Sequence, residues 1–342
     1  MLAFGNSDHH KMKKYKNFSQ NLRDFSWSLK TEKTKEETLI QNTVLEWYDA
    51  KHRNESESEI IFINNIPIDN CPFCSSNSII KNGFTKEGVQ RYKCKNCNRR
   101  FNPLTGTIFD SKKIPISEWF EFLIHLFQFH SIKSSAFDNR NAITTTQYWL
   151  KKVFAVLKDV QNEVVLEGTV FIDETFFSVR KSEKTYINGK EPRGIFNKKC
   201  ILTGCSDNGN FCISTDSNKL SFKRAREIYV PHISSNTFLI HDEELAHEII
   251  VNELNLKHKT YNSKAVKKLS DEQNPLTPIN DYHSLLKKFL KAHNIIKTEN
   301  LQDWLNLFWF ITNTPKNKYD KILSFLKLSL VKKKVIRYRC KT

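Results

Sequence analysis

The sequence predicts a multidomain protein in which a small cysteine-rich module and a helical segment precede an α/β domain. Two Cys-x-x-Cys pairs fall within residues 71–97. Apolar residues then recur at helical spacing from Ile116 to Leu157, and short β-branched runs alternate with helical segments beyond residue 168. At 342 residues the chain is long enough for two or three domains.

The charge balance favours a polyanionic partner. Lys and Arg number 54 against 37 Asp and Glu, a net charge of +17, which suits phosphate neutralisation and counterion release. A lysine surplus also serves solubility, so charge alone does not select nucleic acid. The absence of a long apolar run and of a hydrophobic signal core in Met1–Lys16 predicts a cytoplasmic protein without membrane contact, and a nucleic-acid partner would place it at the bacterial nucleoid.

The strongest local signal is the cysteine quartet Cys71, Cys74, Cys94 and Cys97, which predicts a structural zinc site. Zinc takes four thiolates in a tetrahedron, and 19 residues between the two pairs suit two facing knuckles. Ile79-Ile80, Asn82-Gly83 and Tyr92 between the two pairs indicate a hairpin. The module is therefore predicted to be a zinc ribbon that folds on its metal and holds DNA phosphates. Its basic residues are Lys81, Lys86, Arg91, Lys93, Lys95, Arg99 and Arg100.

The remaining thiols and the flanking segments carry weaker signals. Cys200, Cys205, Cys212 and Cys340 lack paired spacing and are expected to be core or surface thiols. In the N-terminal segment, Thr34–Trp47 predicts an amphipathic helix. It belongs either to a solvated linker or to an arm that contacts DNA or a partner.

Three short helices are predicted after the ribbon. Residues 116–127 form the first, a second follows Ser131, and a break at 138–141 precedes a third that Thr144 caps. This layout suits a helix-turn-helix whose last helix enters a DNA major groove, or a simple helical connector.

The α/β domain begins with the strand Val170–Ile172, which ends in Asp173 and Glu174. A hairpin through Asn208-Gly209 joins the next two strands. The β-β-β-α-β-α-α order fits a ribonuclease H-like fold. The later predicted elements are strands 199–203, 211–215 and 237–240, helices 222–229 and 243–254, and a long helical region at 281–310.

Acidic residues follow two of these strands, Asp173 after the first and Asp242 after the fourth. Strand ends of α/β sheets gather ligand sites, and paired carboxylates there hold two Mg²⁺ ions for phosphoryl transfer. Two such aspartates are also common as caps or turn formers. Farther on, Asn280, His283 and Lys287 share one face of a predicted helix. The Asn280 carboxamide can bind Mg²⁺ and Lys287 can bind a phosphate. The three residues can also form an exposed polar face without a function.

The chain resembles the zinc-ribbon, DDE-type insertion-sequence transposases of the ISXO-like group across about residues 71–315. The motifs that carry the resemblance are Cys71-Pro-Phe-Cys74, Gln90-Arg-Tyr-Lys-Cys94, Phe101-Asn-Pro-Leu-Thr-Gly-Thr107, Asp173-Glu-Thr175, Arg193-Gly194, Asp242 and the 274–290 segment.

The resemblance implies a transposase that binds double-stranded terminal inverted repeats and target DNA as a homo-oligomer, with Mg²⁺ or Mn²⁺ at Asp173 and Asp242. Asn280 stands where the family has its third acid, and Lys287 matches the lysine that follows. Asp281 is a rival for the third position and Glu174 for the first. Alternatives are an inactive or domesticated zinc-ribbon DNA-binding protein, or a structure-specific nuclease.

The implied domains are five. They are an N-terminal arm (1–66), a zinc ribbon (67–104), a helix-turn-helix-like domain (105–163), a ribonuclease H-like catalytic domain (164–315) and a basic C-terminal tail (316–342).

Overall fold

The computed structural model describes residues 57–112, 114–215, 217–293, 296–313, 315, 317–332 and 336. They divide into two compact units, one comprising residues up to 105, 111–121 and 138–140, and the other 106–110, 122–137 and 141 onward. The predicted helix at Thr34–Trp47 and the thiol of Cys340 lie outside the described residues. Within the described part, no helix is both long and apolar enough to cross a membrane.

The first unit is built around a three-stranded antiparallel sheet. Its strands are β1 (Ile79–Phe84), β2 (Gln90–Cys94) and β3 (Arg100–Phe101), in that order. Helix α1 (Glu57–Asn64) joins the sheet through Asn64, whose side chain accepts from the Gln90 N–H at 2.8 Å and donates to the Gly88 carbonyl at 3.0 Å.

The other end of α1 caps the following helix. The Glu59 carboxylate accepts the backbone N–H groups of Ile116 at 2.8 Å and Ser117 at 3.1 Å, where α2 (Ser117–Phe127) begins. A carboxylate at a helix N-terminus satisfies unpaired N–H groups and opposes the positive end of the helix dipole.

Helices α3 (Ile132–Asp138) and α4 (Ile143–Leu157) follow. The prediction of Thr144 as the cap of α4 is wrong: the cap position is Ala142, in extended conformation, and its carbonyl accepts the Thr146 N–H at 3.1 Å. Thr144 is already helical. Helix α4 belongs to the second unit, where the Phe154 ring packs edge-on against Trp304 at 5.1 Å.

A five-stranded mixed sheet forms the centre of the second unit. The strands are β4 (Thr169–Ser178), β5 (Lys198–Ser206), β6 (Gly209–Ser214), β7 (Phe238–Asp242) and β8 (Lys257–Tyr261). Their order is β6-β5-β4-β7-β8. The first three are antiparallel neighbours, whereas β7 and β8 run parallel to β4. The predicted hairpin joins β5 and β6, and the mixed sheet with its helices fits a ribonuclease H-like domain.

The helices of the second unit depart from the predictions in three places. The predicted long region at 281–310 is two helices, α8 (Thr277–Ala292) and α9 (Leu301–Thr312), and the predicted helix at 243–254 begins with a 3₁₀ turn at Leu245–His247. The predicted C-terminal tail contains a helix, α10. The bounds are α5 (Phe222–Tyr229), α6 (Glu248–Leu254), α7 (Ser263–Val266), α8 (Thr277–Ala292), α9 (Leu301–Thr312) and α10 (Lys318–Val331).

The sheet separates two helical layers. On one face, Val170, Ile172 and Leu239 are fully buried with Tyr229 of α5 and Ile250 of α6. Each such side chain contributes about 1.5–3 kcal/mol of burial free energy. Helix α8 packs on the other face against β4 and β5. Because side chains alternate along β4, Asp173 points toward α8 and Glu174 toward α5 and α6.

The unpaired thiols of the second unit belong to this sheet. Cys200, Cys205 and Cys212 are free and buried, which confirms them as core residues. Burial raises the pKa of each thiol to about 12.

Candidate metal centres

The four ribbon cysteines converge on one point in the first unit. Their sulfurs all lie within 4.8 Å of one another, with Cys71 Sγ 3.6 Å from Cys97 Sγ and Cys74 Sγ 3.6 Å from Cys94 Sγ. A disulfide needs about 2.05 Å, whereas tetrahedral zinc with Zn–S bonds of about 2.3 Å places its sulfurs about 3.8 Å apart. The cluster therefore has the donor atoms and the size for a zinc ion.

Both knuckles have a left-handed residue at the same position. Ser75 and Asn98, the residues that follow the second cysteine of each pair, are both left-handed with φ of 58°. The chain thereby folds back, so that the Ser75 N–H donates to the Cys71 carbonyl at 2.9 Å and the Cys94 N–H to the Arg99 carbonyl at 3.0 Å. Such turns expose sulfur on one side of each pair.

The thiols of the cluster do not ionise alike. The Cys97 N–H lowers the pKa of Cys94 to about 6, against the effect of burial. A backbone hydrogen bond from Arg99 also favours the Cys97 thiolate, but burial and the other three sulfurs outweigh it and raise the pKa of Cys97 to about 11. Crowded thiolates repel one another, and a bound dication removes that repulsion.

The ribbon surface is basic and partly aromatic. The Arg99 guanidinium lies 5.0 Å from the centre of the exposed Phe73 ring, and Tyr92 stacks on Phe101 at 5.7 Å. All the predicted phosphate-facing residues are solvent-exposed except Lys93, which is half-buried. This surface suits a polyanion.

The second candidate centre lies where β4 and β7 run side by side in the second unit. Phe171 pairs with Ile240 in parallel register, so Asp173 and Asp242 each lie two residues beyond that pair and on the same face of the sheet. Their side chains retain 27% and 24% exposure. The two carboxylates are therefore close together and reachable from solvent.

Asp173 is electrostatically strained. Burial, followed by the charges of Glu174 and Asp242, raises its pKa to about 7. The Glu174 N–H, which donates to Asp173 Oδ1 at 2.7 Å, only partly offsets this. Neighbouring carboxylates repel one another when both are ionised, and a bound hard dication such as Mg²⁺ reduces that repulsion.

His283 of α8 lies beside Asp173 on the face of the sheet that α8 covers. Its Nδ1 lies 3.7 Å from Asp173 Oδ2, and its Nε2 lies 2.6 Å from the Thr203 hydroxyl. That hydroxyl donates its proton to the Asp173 carbonyl at 2.6 Å, so it accepts from His283 Nε2–H. Burial, with the charge of Lys287, lowers the pKa of His283 to about 4. The neutral ring therefore aims the lone pair of Nδ1 toward the Asp173 carboxylate.

Glu174 occupies a different environment from Asp173. Its Oε1 accepts from the Tyr229 hydroxyl at 3.0 Å and from His247 Nε2 at 2.8 Å. The other ring nitrogen of His247 lies 3.6 Å from Asp242 Oδ1. Although burial opposes the charged form, the hydrogen bond to Glu174 and the nearby carboxylates raise the pKa of His247. The Glu174 carboxylate is thus held by Tyr229 and His247, whereas the Asp173 carboxylate is reachable from solvent.

The remaining predicted residues lie one turn to either side of His283. Asn280 and Lys287 are both solvent-exposed, as is Asp281. Asn280 and Lys287 share the His283 face of α8, whereas Asp281 is rotated away from it by one residue. His283 is the member of this set that contacts an aspartate of the sheet.

Three residues at this centre had no separate signal in the sequence. Thr203, Tyr229 and His247 come from β5, α5 and the turn before α6. The hydrogen-bond partner of each is 30 to 73 residues away in the chain, so no local pattern identifies it.

Comparison with known proteins gives a short match in sequence. No protein-family model matches the chain. Over 50 residues it is 42% identical to an uncharacterized protein in transposable element ISH50 of Halobacterium salinarum. That match covers 15% of this chain and 17% of the relative.

Solved structures give weak overall similarity. A Mos1 transposase paired-end complex with the left transposon end matches with a TM-score of 0.29 and 13% identity, covering 60% of this chain and 74% of that chain. A simian T-cell lymphotropic virus intasome in complex with a PP2A regulatory subunit, B56 gamma, matches with a TM-score of 0.27 and 10% identity, covering 55% and 67%. Scores this low do not establish a common fold.

Proposed function

We propose that this protein is a DNA transposase that cuts the ends of its element and joins them to a target by metal-dependent phosphodiester chemistry. The observation that carries the proposal is the pair Asp173 and Asp242, on one face of adjacent parallel strands. The net charge of +17 and the short match to a transposable-element protein support it.

Asp173 and Asp242 would hold the catalytic metal ions. Two bound Mg²⁺ ions, or Mn²⁺ as a substitute, supply activation of an attacking oxygen and stabilisation of the leaving oxygen. The carboxylate oxygens are hard donors of the kind that these ions prefer. The raised pKa of Asp173 supports this role, because the site is strained without a cation.

Three residues of α8 complete the proposed centre. His283, fixed by Thr203, presents a lone pair at the Asp173 carboxylate and would serve as a third ligand or orient a water molecule. Asn280 would be the alternative third ligand through its carboxamide oxygen, and Lys287 would contact the DNA backbone, because its ammonium suits a phosphate. Glu174 would position His247 beside Asp242 rather than bind metal.

The ribbon would hold DNA while the carboxylates act on it. Four cysteines suit structural zinc, and the exposed lysines and arginines around them suit phosphates. The exposed face of α4, with Gln147 and Lys151, is a second proposed DNA contact. The active assembly would be a homo-oligomer that brings two element ends together.

The test is cleavage of a plasmid that carries the DNA flanking the gene, with Mg²⁺ or Mn²⁺. Asp173→Asn and Asp242→Asn are expected to lower cleavage about a thousandfold or more while end binding is kept. Asp207→Asn, in the exposed β5–β6 turn, is the matched control. Comparing Asn280→Ala, Asp281→Ala and His283→Ala identifies the third residue by the largest loss.

Each competing function has its own outcome. Wild-type-level cleavage by Asp173→Asn or Asp242→Asn would overturn the site assignment. Cut ends that are never joined to a second plasmid would favour a nuclease. DNA binding without any cleavage by the unaltered protein would favour a binding protein.

A further inference from the structure

Three side chains of types that can ligate metal meet on the face of the sheet opposite the Asp173 and Asp242 carboxylates. They are His241 of β7, Glu248 at the start of α6 and His258 of β8, and their ligating atoms all lie within 4.8 Å of one another. His241 is fully buried, Glu248 half-buried and His258 exposed. The cluster therefore runs from the core to the surface, and an ion can reach it.

Hydrogen bonding fixes the protonation of the buried histidine. His241 Nδ1 lies 2.7 Å from the Asp242 carbonyl, which can only accept, so Nδ1 carries the proton. The other nitrogen, Nε2, then presents a lone pair, and it lies 3.1 Å from Nδ1 of His258. A histidine that donates one N–H to a backbone carbonyl while its other nitrogen faces a ligand position is the usual arrangement at metal sites.

Two arrangements account for the contact between the two rings. In one, His258 donates a hydrogen bond to His241. In the other, both nitrogens bind one ion, for which Zn–N bonds of about 2.0–2.1 Å give a nitrogen separation of about 3.3 Å. The Glu248 carboxylate favours the second, since it completes a set of two histidines and one carboxylate that the hydrogen bond alone does not require.

We propose that His241, Glu248 and His258 bind a divalent transition-metal ion, with zinc the best match. Imidazole nitrogen selects zinc over magnesium, which prefers all-oxygen ligands. The ion is separate from the one held by the cysteines and from those at Asp173 and Asp242. Zinc usually takes four ligands, so a water molecule would supply the fourth.

This ion would fasten the edge of the sheet. Strand β8 is an edge strand whose residues from Lys257 to Thr260 are all exposed, so few apolar contacts hold it in place. A shared ion links β8 to β7 and to the first residue of α6. The His241 ring also contacts the His247 ring edge-on, with 5.2 Å between the ring centres. An ion that holds His241 in place would therefore also restrict His247, which lies beside Asp242.

The test measures zinc per chain in the full-length protein, using an Asp173→Asn background so that the carboxylate centre does not contribute. After dialysis against low micromolar free zinc, the background protein is expected to hold two zinc ions. His258→Ala should hold one, and Lys257→Ala, the exposed neighbour, should hold two. Glu248→Gln is expected to weaken the second ion at least about tenfold.

Cobalt exchange then identifies the ligands. Cobalt bound at the proposed histidine site should give visible d–d bands. It should not add to the thiolate charge-transfer band, which belongs to cobalt at the cysteine site. One zinc per chain in the background protein, or an unchanged zinc count in folded His258→Ala, would overturn the proposal and leave the hydrogen bond as the explanation. Neither result depends on DNA cleavage, so the proposed function is tested separately.

Discussion

The cysteine cluster and the carboxylate cluster draw their ligands from the chain in opposite ways. The cysteines come from two short pairs within 27 residues, and few apolar side chains pack beside them. Asp173, Asp242 and His283 come from two strands and a helix across more than a hundred residues, and an extensive apolar core fixes those elements. We therefore expect the first unit to depend on a bound metal to fold, whereas the second unit should fold without one and hold the Asp173 carboxylate under strain.

The largest expected effect is zinc removal from the first unit. A strong chelator should abolish hydrogen-exchange protection of residues 71–101, because structural zinc in such small modules supplies on the order of 10 kcal/mol. Residues 169–206 of the second unit serve as the internal control and should keep their protection. Protection of 71–101 that survives chelation would remove the contrast between the two regions.

The next effect concerns the strain at Asp173. Its pKa in the folded protein, about 7, lies above the ordinary 3.8, so ionisation disfavours folding. Without divalent metal, the free energy of unfolding should fall as pH rises from about 4 to about 7, by up to about 4 kcal/mol.

Asp173→Asn removes this charge. Denaturant unfolding of the variant should show a stability gain at pH 7 and none near pH 4, whereas Asp207→Asn should match wild type throughout. Equal stability of Asp173→Asn and wild type at both pH values would contradict a strained carboxylate.

A smaller effect is expected at Glu174. Glu174→Gln should cost about 3 kcal/mol at pH 6, since it removes the charged partner of the buried His247 ring. The pKa of His247 is raised in the folded protein, so this contribution is complete below about pH 6.5. This stabilising contribution is lost as the pH rises through the raised pKa of His247 in the folded protein.

Unfolding curves of Glu174→Gln across that range check the direction. The variant should converge on wild type at alkaline pH, and Glu167→Gln, an exposed glutamate near the start of β4, should follow wild type at every pH. A constant deficit at all pH values would mean that Glu174 acts through packing alone.

The same contrast explains what the sequence predicts. Cysteine spacing identifies its cluster because the ligands are neighbours in the chain, and apolar runs locate β4 and β7 because both strands are central. Strand β8 escapes prediction because an exposed edge strand needs no apolar alternation. The partnership of His283 with Thr203 escapes because their contact joins residues 80 positions apart.

The central claim is that Asp173 and Asp242 bind a divalent metal together with His283. Iron(II) in place of magnesium reduces added hydrogen peroxide to hydroxide and a hydroxyl radical, and ascorbate returns the iron(III) to iron(II). The radicals cut the backbone near the bound ion, and the fragments report which segments surround it. We expect cuts near residues 173, 242 and 283 that excess Mg²⁺ suppresses and that Asp173→Asn abolishes. Absence of cuts at 173 and 283, or cuts that Asp173→Asn leaves unchanged, would contradict the account.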